Sequence, residues 1–418
     1  MDQIDTPTRQ PALHYAWIVL VVGTLVVFGS LGLARFGYTT LLPSMETALA
    51  IDNTRTGGLA TANLAGYLAL AIVGGALASR YGPRVVITIG LVVAGLGMLL
   101  TGLANSLGAA IAWRALTGIG SGASNVPVMA LLSAWFVQRR RGLAAGIGVT
   151  GSSVALILLG LVVPHILTIY EENGWRICWF VFAGATFGLA ILAWAVLRNR
   201  PSDLGLQPLG ATEHNVPVAA ASQGGLHWGR VYASGVVWHI GMIYVAFGFS
   251  YIIYMTFFTK YLTTEGGYTK QAAGWLLTLM GWVSLPCGFL LGWVSDVIGR
   301  KGALVIIYLI HTVAFALFAL WPSPVGFTIS AVLFGLSPWT IPAIMAAMCG
   351  DLLGPRLAPA GLGFITLFFG IGQAVGPIAA GALADADPGK SFSSAFLLAA
   401  GVALLGAVGS LLLRRPKG

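Results

Sequence analysis

Charge is what this chain has least of. Only 8% of its 418 residues are Asp, Glu, Lys or Arg, against about 25% in an ordinary soluble domain. So few charges cannot keep the surface of a protein this size in water, which excludes a soluble globular fold and points to the lipid bilayer as the surroundings. Cysteine is scarce too. Cys178, Cys287 and Cys349 lie in or near apolar runs without C-x-x-C spacing, so neither a disulfide framework nor a metal site is expected. No acidic residue falls in the middle of an apolar run, and no nucleophile, base and orienting group are spaced as a set. An enzyme, a metal and a cofactor are therefore not expected. A net charge of +9 would suggest nucleic acid in a soluble protein. Here the basic residues form short clusters between apolar runs and the aromatics lie inside those runs, so no nucleic acid partner is expected.

What the chain has is apolar length. Hydrophobic residues make up 57% of it and glycines number 57, which suits helices that approach closely in lipid. A spanning helix needs about 20 mostly apolar residues. Runs of that kind lie at about 15–44, 57–78, 85–105, 107–135, 142–168 and 174–197, then at about 231–262, 270–294, 302–321, 324–349, 359–381 and 391–413. The expectation is an all-α polytopic membrane protein of twelve transmembrane helices in two pseudo-symmetric six-helix bundles. Residues 15–197 form the first bundle and 231–413 the second. A tail (1–14), a linker (198–230) and a second tail (414–418) complete the chain. Lys and Arg favour the cytoplasmic side of a membrane protein. With both termini cytoplasmic, fifteen basic residues fall inside and five outside, the latter including Lys260 and Lys390. Arg35 and Arg114 are left within the membrane. The polar start lacks a signal-peptide pattern, and the expected location is the bacterial inner membrane.

The chain repeats itself. Gly75-Ala-Leu-Ala-Ser79-Arg80-Tyr-Gly82-Pro-Arg84 follows the second run, and Gly292-Trp-Val-Ser-Asp296-Val-Ile-Gly299-Arg300-Lys301 follows the eighth. Gly75 matches Gly292, Gly82 matches Gly299 and Arg84 matches Lys301. Two six-helix halves in parallel repeat are a transporter plan in which substrate binds near the bilayer midplane.

These loops resemble the G-x-x-x-D-R-x-G-R-R/K signature of the major facilitator superfamily. The resemblance implies a cytoplasmic latch of Arg80, Arg84, Asp296, Arg300 and Lys301. The first copy departs, with Ser79 where Asp is usual and Pro83 before Arg84. Arg114-x-x-x-Gly118-x-Gly120-x-Gly122 resembles a second motif of the superfamily, in its fourth helix. An arginine within a span is a functional candidate by default; for Arg114 helix packing or gating, proton coupling and direct substrate contact all stand open. The segment Arg35-Phe36-Gly37-Tyr38-Thr39-Thr40-Leu41-Leu42-Pro43 resembles the YbfB-like facilitators, and its glycines and Pro43 suggest local bending. Arg35 needs an anion. A substrate is one candidate, Glu46 just beyond the expected helix end is another, and snorkelling toward the headgroups is a third.

Trp135-Phe136-x-x-Arg139-Arg140-Arg141-Gly142 and Arg200-Pro201-Ser202-Asp203-Leu204-Gly205 resemble bacterial monocarboxylate and oxalate/formate porters. Those porters place basic residues in helix 8 or 11. This chain instead offers Trp275, Thr278, Trp282 and Ser284, then Phe368, Phe369 and Gln373, which disfavours a dicarboxylate. Within the superfamily's plan, candidate substrate residues are Arg35, Tyr38, Asn63 with Tyr67 one helical turn on, Asn125, Tyr244, Tyr251, Tyr254, Trp339 and Gln373. Tyr244, Tyr251 and Tyr254 are placed on one helix face. Asn125 beside Pro127 and Trp339 between Pro338 and Pro342 are placed in irregular backbone. His239 and His311 could titrate near neutral pH, although lone helix histidines are more often structural. The expected function is secondary transport of a small organic anion, a monocarboxylate, with a proton, by a monomer. Efflux of amphipathic or hydrophobic compounds is the alternative, and a transporter-like sensor or membrane enzyme a remoter third.

Overall fold

The structure, a computed structural model, describes residues 14–211, 229–389 and 391–413. The expectations for the two tails (His14 apart), the middle of the linker and Lys390 lie outside the described residues. Helix dominates, and the one β-bridge among the described residues joins Phe136 to Leu209.

Among the described residues ten helices are long and apolar enough to cross a bilayer, and the count reaches twelve where each of two bent pairs is one span. In chain order they are α1 (Tyr15–Leu49), α2 (Asn53–Tyr81, bent by 45°), α3 (Pro83–Leu103), α4 (Leu107–Trp135), α5 (Gln138–Ile169) and α6 (Gly174–Val196). Then come α7 (Gly235–Thr264), α8 (Lys270–Ser284 and Cys287–Ile298, at 45°), α9 (Arg300–Leu320), α10 (Pro324–Gly354), α11 (Ala360–Ala386) and α12 (Ser393–Leu411). Their starts follow local chemistry. Asp52, Ser106, Thr269 and Ser323 each accept a hydrogen bond from a first-turn N–H of the helix they precede. Pro83 and Pro324 occupy first positions, where a missing N–H costs nothing.

Large apolar side chains such as Val21, Ile191, Phe289 and Leu405 are more than half exposed. Such a surface is at home in lipid, where it faces hydrocarbon at no cost. Inside, the first six helices pack chiefly on one another, α2 and α3 against α4, and α3 against α6. In the later set, α7 packs on α11 and α12, and α9 on α12. Between the sets, α2 meets α11, α5 meets α8 and α1 meets α7.

Three details differ from the sequence reading. Helix α1 continues through Pro43 to Leu49, so Glu46 lies within the helix and not past its end. Helix α4 runs unbroken through Asn125 and Pro127, because packing on both sides holds the helix where proline removes one hydrogen bond. The described part of the linker is not loose chain. Residues Pro201–Leu204 form a 3₁₀ turn, Trp135 Nε1 donates to the Arg198 carbonyl at 2.9 Å, and Leu209 N donates to the Trp135 carbonyl at 2.9 Å.

Candidate functional site

The site begins with a change of winding in α1. Residues Phe28–Phe36 form a π-helix inside an otherwise α-helical span, with the Gly37 N–H reaching back to the Gly32 carbonyl. Such segments are rare and mostly mark functional sites. Gly32 sits at the crossing with α5, where an added Cβ would lie 2.1 Å from that of Ala155. The bending expected from the glycines of this stretch is thus a π segment, and Arg35 sits at its end.

Arg35 is 8% exposed. Its Nη1 donates to the Tyr251 hydroxyl at 3.4 Å, and its guanidinium lies 4.4 Å from the centre of the Tyr67 ring. Nε and Nη2 have no partner among the described residues. Glu46 is not its counter-ion, since Glu46 is bound to Lys260. Around Arg35 four helices each supply a polar group. Gln373 of α11 donates to the Tyr251 hydroxyl of α7, and Asn125 Nδ2 of α4 donates to the Tyr67 hydroxyl of α2 at 3.0 Å. Asn125 Oδ1 has no partner among the described residues. Sequence positions far apart, Arg35, Tyr67, Asn125, Tyr251 and Gln373, therefore form one connected cluster.

Arg114 is 1% exposed and lies close by. Its Nη1 donates to the Ala34 carbonyl at 2.8 Å, and its guanidinium is held between the rings of Tyr38 and Trp179, at 4.9 and 5.0 Å. The Tyr38 hydroxyl donates to the Thr56 carbonyl at 2.8 Å, and Asn63 Nδ2 donates to the Arg114 carbonyl at 3.2 Å. The glycines of the α4 motif explain this closeness. An added Cβ would lie 1.9 Å from the Asn63 carbonyl oxygen at Gly118, 2.2 Å from Ala94 N at Gly120 and 2.4 Å from the Tyr67 carbonyl oxygen at Gly122. Alternate glycines thus seat α2 and α3 against α4.

Other candidates fall elsewhere. Tyr254 does not share the surroundings of Tyr251. Its hydroxyl meets Ser330 Oγ at 2.8 Å and its ring packs among Phe315, Phe318 and Phe334. Three residues along a helix fall short of a full turn by about 60°, enough to swing Tyr254 into the packing between α7, α9 and α10. Tyr244 stacks on Phe369 and Phe247, in line with Tyr251. Trp339 does lie in irregular backbone, between the two helical parts of α10. Its Nε1 donates to Ser153 Oγ of α5 at 3.0 Å and its ring meets Phe36. His239 bonds the Gly409 carbonyl and His311 bonds Ser337.

One cluster was missed from sequence. Lys260 of α7, counted above among the outer residues, is 5% exposed and bonds both Glu46 of α1 and Asn53 of α2. Asp385 of α11 accepts from Asn53 N at 3.2 Å and from Thr54 N at 2.8 Å. The only signal in the sequence was that Lys260 interrupts an apolar run, with Phe257, Phe258, Tyr261 and Leu262 around it.

At the other end of the helices the two loop motifs repeat in geometry. Gly82 and Gly299 both have positive φ, 86° and 85°. Arg84 Nε donates to the Trp194 carbonyl at the end of α6, and Lys301 Nζ donates to the Leu413 carbonyl just past α12. A cation at a helix C-terminus is favourable. In the second copy, Arg300 pairs with Asp296 at 2.5 Å and Asp351 at 3.4 Å. In the first, Ser79 bonds only its own helix, at the Gly75 carbonyl, and the exposed Arg80 lies over the Tyr81 ring.

Comparison with known proteins agrees with this architecture. A family model described as the uncharacterised MFS-type transporter YbfB matches residues 27–411. A probable sulfoacetate transporter of Cupriavidus necator is 25% identical over 90% of this chain and 89% of its own length. A D-galactonate transporter of Escherichia coli is 26% identical over 83% and 84%, and monocarboxylate transporter 13 of Rattus norvegicus 24% identical over 96% and 89%. Among solved structures, a D-xylose–proton symporter superposes with a TM-score of 0.76 at 14% identity, covering 96% of this chain and 98% of that one. A bacterial homologue of the human lysosomal transporter Spinster, inward-facing and unoccupied, gives 0.73 at 17% identity over 98% and 100%. The match over nearly the whole chain assigns it: this protein belongs to the YbfB family of major facilitator transporters.

Proposed function

We propose that the protein moves a small organic anion with a carboxylate head, a monocarboxylate, across a bacterial inner membrane by alternating access, together with a proton. One observation carries the reading: a buried arginine at the junction of the two helix sets, with two nitrogens unpaired and no acidic partner among the described residues. An isolated buried charge costs several kcal/mol, and a bound carboxylate offsets that cost with charge-assisted hydrogen bonds. Tyr67, Asn125, Tyr251 and Gln373 surround the same arginine and orient the ligand. Two of the relatives named above are described as transporters of anions that bear a carboxylate, sulfoacetate and galactonate, and a third as a monocarboxylate transporter.

In this reading twelve spans form two six-helix bundles that rock about Arg35. Lys260, Glu46, Asn53 and Asp385 seal the outer end. The loops holding Arg80, Arg84, Asp296, Arg300 and Lys301 belong to the cytoplasmic end, where they latch when the outer end opens. No carboxylate lies beside Arg35 among the described residues, so the substrate binds there in its ionised form and the proton is not assigned to a side chain of this cluster. Uptake of labelled lactate-like acids into proteoliposomes under an inward proton gradient tests the proposal. Flux that is lost in Arg35→Ala supports it, and absence of anion-dependent flux in the unmodified protein rejects it.

A further inference from the structure

We propose that one small inorganic anion, of chloride size, binds between Arg35 and Arg114 as a resident counter-ion, distinct from the organic anion. The two arginines line a common cavity of about 10 Å³, bounded also by Tyr38, Asn63, Met255 and Thr256. A space of that size holds about one water-sized particle. It lies one turn from the Tyr67 and Tyr251 cluster toward the Glu46 end, since Asn63 precedes Tyr67 in α2 by a turn and Met255 follows Tyr251 in α7 by a turn.

Three observations select an anion. Both arginines are more than nine-tenths buried. Neither forms an ion pair among the described residues, and the acid on the same helix, Glu46, belongs to Lys260. Among the described residues, Nε and Nη2 of Arg35 and Nε of Arg114 are unpaired donors, and the cavity lining offers a single unpaired amide acceptor, Asn63 Oδ1, since Asn125 Oδ1 belongs to the Tyr67 cluster. A water molecule could satisfy one or two of these atoms but leaves two like charges unneutralised in a low-dielectric interior. The aromatic faces of Tyr38, Tyr67 and Trp179 soften that charge without cancelling it. The cavity has no room for the body of an organic acid, and one organic anion on Arg35 leaves Arg114 without a counter-charge. A guanidinium has five N–H donors, so Arg35 can serve both ligands.

The test uses the full chain in lipid nanodiscs at constant sodium, with millimolar chloride or bromide replaced by sulfate, which is larger than either halide and carries no carboxylate. The melting temperature is expected to rise saturably with either halide and not with sulfate. Bromide soaked into crystals is expected to give anomalous density between Arg35 and Arg114. Arg114→Lys, which keeps the charge, should weaken the halide effect about tenfold through lost donors. Should that variant fold poorly, Thr256→Leu, which fills the cavity, should abolish the effect. A melting temperature indifferent to halide, or bromide found only elsewhere, overturns the proposal. So does competitive displacement of bromide by a lactate-like acid, which would make this the substrate's own site and leave the transport reading standing. Halide binding without any organic-anion flux supports the counter-ion and rejects that transport reading.

Discussion

Arg114 Nη1 donates to the carbonyl oxygen of Ala34 at 2.8 Å, so the arginine of α4 holds the peptide next to the arginine of α1. The π winding of Phe28–Phe36 shifts the backbone hydrogen-bond register, and Arg114 supplies a donor where that register changes. Arg114→Met would leave the Ala34 carbonyl short of a buried partner, at about 1–3 kcal/mol. It would also remove the cation from between Tyr38 and Trp179. The expected outcome is a lower melting temperature together with weaker transport. A variant as stable and active as the parent would show that the contact does not hold α1 in place.

The Tyr251 hydroxyl joins Arg35 of the first helix set to Gln373 of the second. Tyr251→Phe keeps the ring in its stack with Phe247 and removes only the bridging oxygen. A lost hydrogen bond to a charged group is worth about 1.5–3 kcal/mol, which corresponds to a rise in KM of roughly tenfold to a hundredfold. Transport kinetics of the variant check this, with the melting temperature as control. An unchanged KM would place Tyr251 outside the path of the substrate.

The matched loops give a prediction about backbone. Gly82 and Gly299 combine φ near +86° and +85° with ψ of 142° and 153°, an extended positive-φ conformation that costs other residues about 1–3 kcal/mol. Around Gly299 an added Cβ meets open space, whereas at Gly82 it would lie 2.7 Å from Asn199 Nδ2. That amide is not free to move, because its Oδ1 accepts from Arg84 N at 2.9 Å. Gly82→Ala should therefore lower the melting temperature more than Gly299→Ala. The reverse order in thermal unfolding would contradict the account.

Much of this was legible in the sequence, and the reasons are physical. A bilayer imposes length and apolarity on each span, so the run expected at 107–135 coincides with α4, and the run at 174–197 misses α6 by one residue. The repeated loops were readable because both copies need glycine at the same backbone conformation. Pairings across the chain were not readable. Glu46 finds Lys260 more than two hundred residues away, and nothing local to either residue encodes the other. Tyr254 was misplaced because spacing fixes only the angle between side chains on a helix. Which neighbour fills each direction is decided by tertiary packing. The π segment escaped for a similar reason, since its winding is stabilised by the crossing at Ala155 and by Arg114.

The last prediction separates closing from folding. At the Glu46 end, α2 and α11 approach so nearly that an added Cβ at Gly57 would lie 2.1 Å from the Pro377 carbonyl oxygen, and one at Gly381 would lie 2.2 Å from the Asn53 carbonyl oxygen. Both contacts join helices of opposite sets, so a methyl group there strains only the arrangement in which these two helices meet. Overpacking of this kind costs about 1–3 kcal/mol, a shift of roughly fivefold to a hundredfold in a two-state equilibrium. Gly57→Ala should therefore fold and insert normally yet populate a form open at that end. A cysteine at Thr39, whose hydroxyl now bonds the Met255 carbonyl across the junction at 2.7 Å, would report the change by faster alkylation from the Glu46 side. Lys260→Gln, which removes the ion pair to Glu46, should raise the same alkylation rate without adding bulk. If both variants leave that rate at the parent value, α2, α7 and α11 do not part during the cycle, and rocking about Arg35 is the wrong description of how this carrier works.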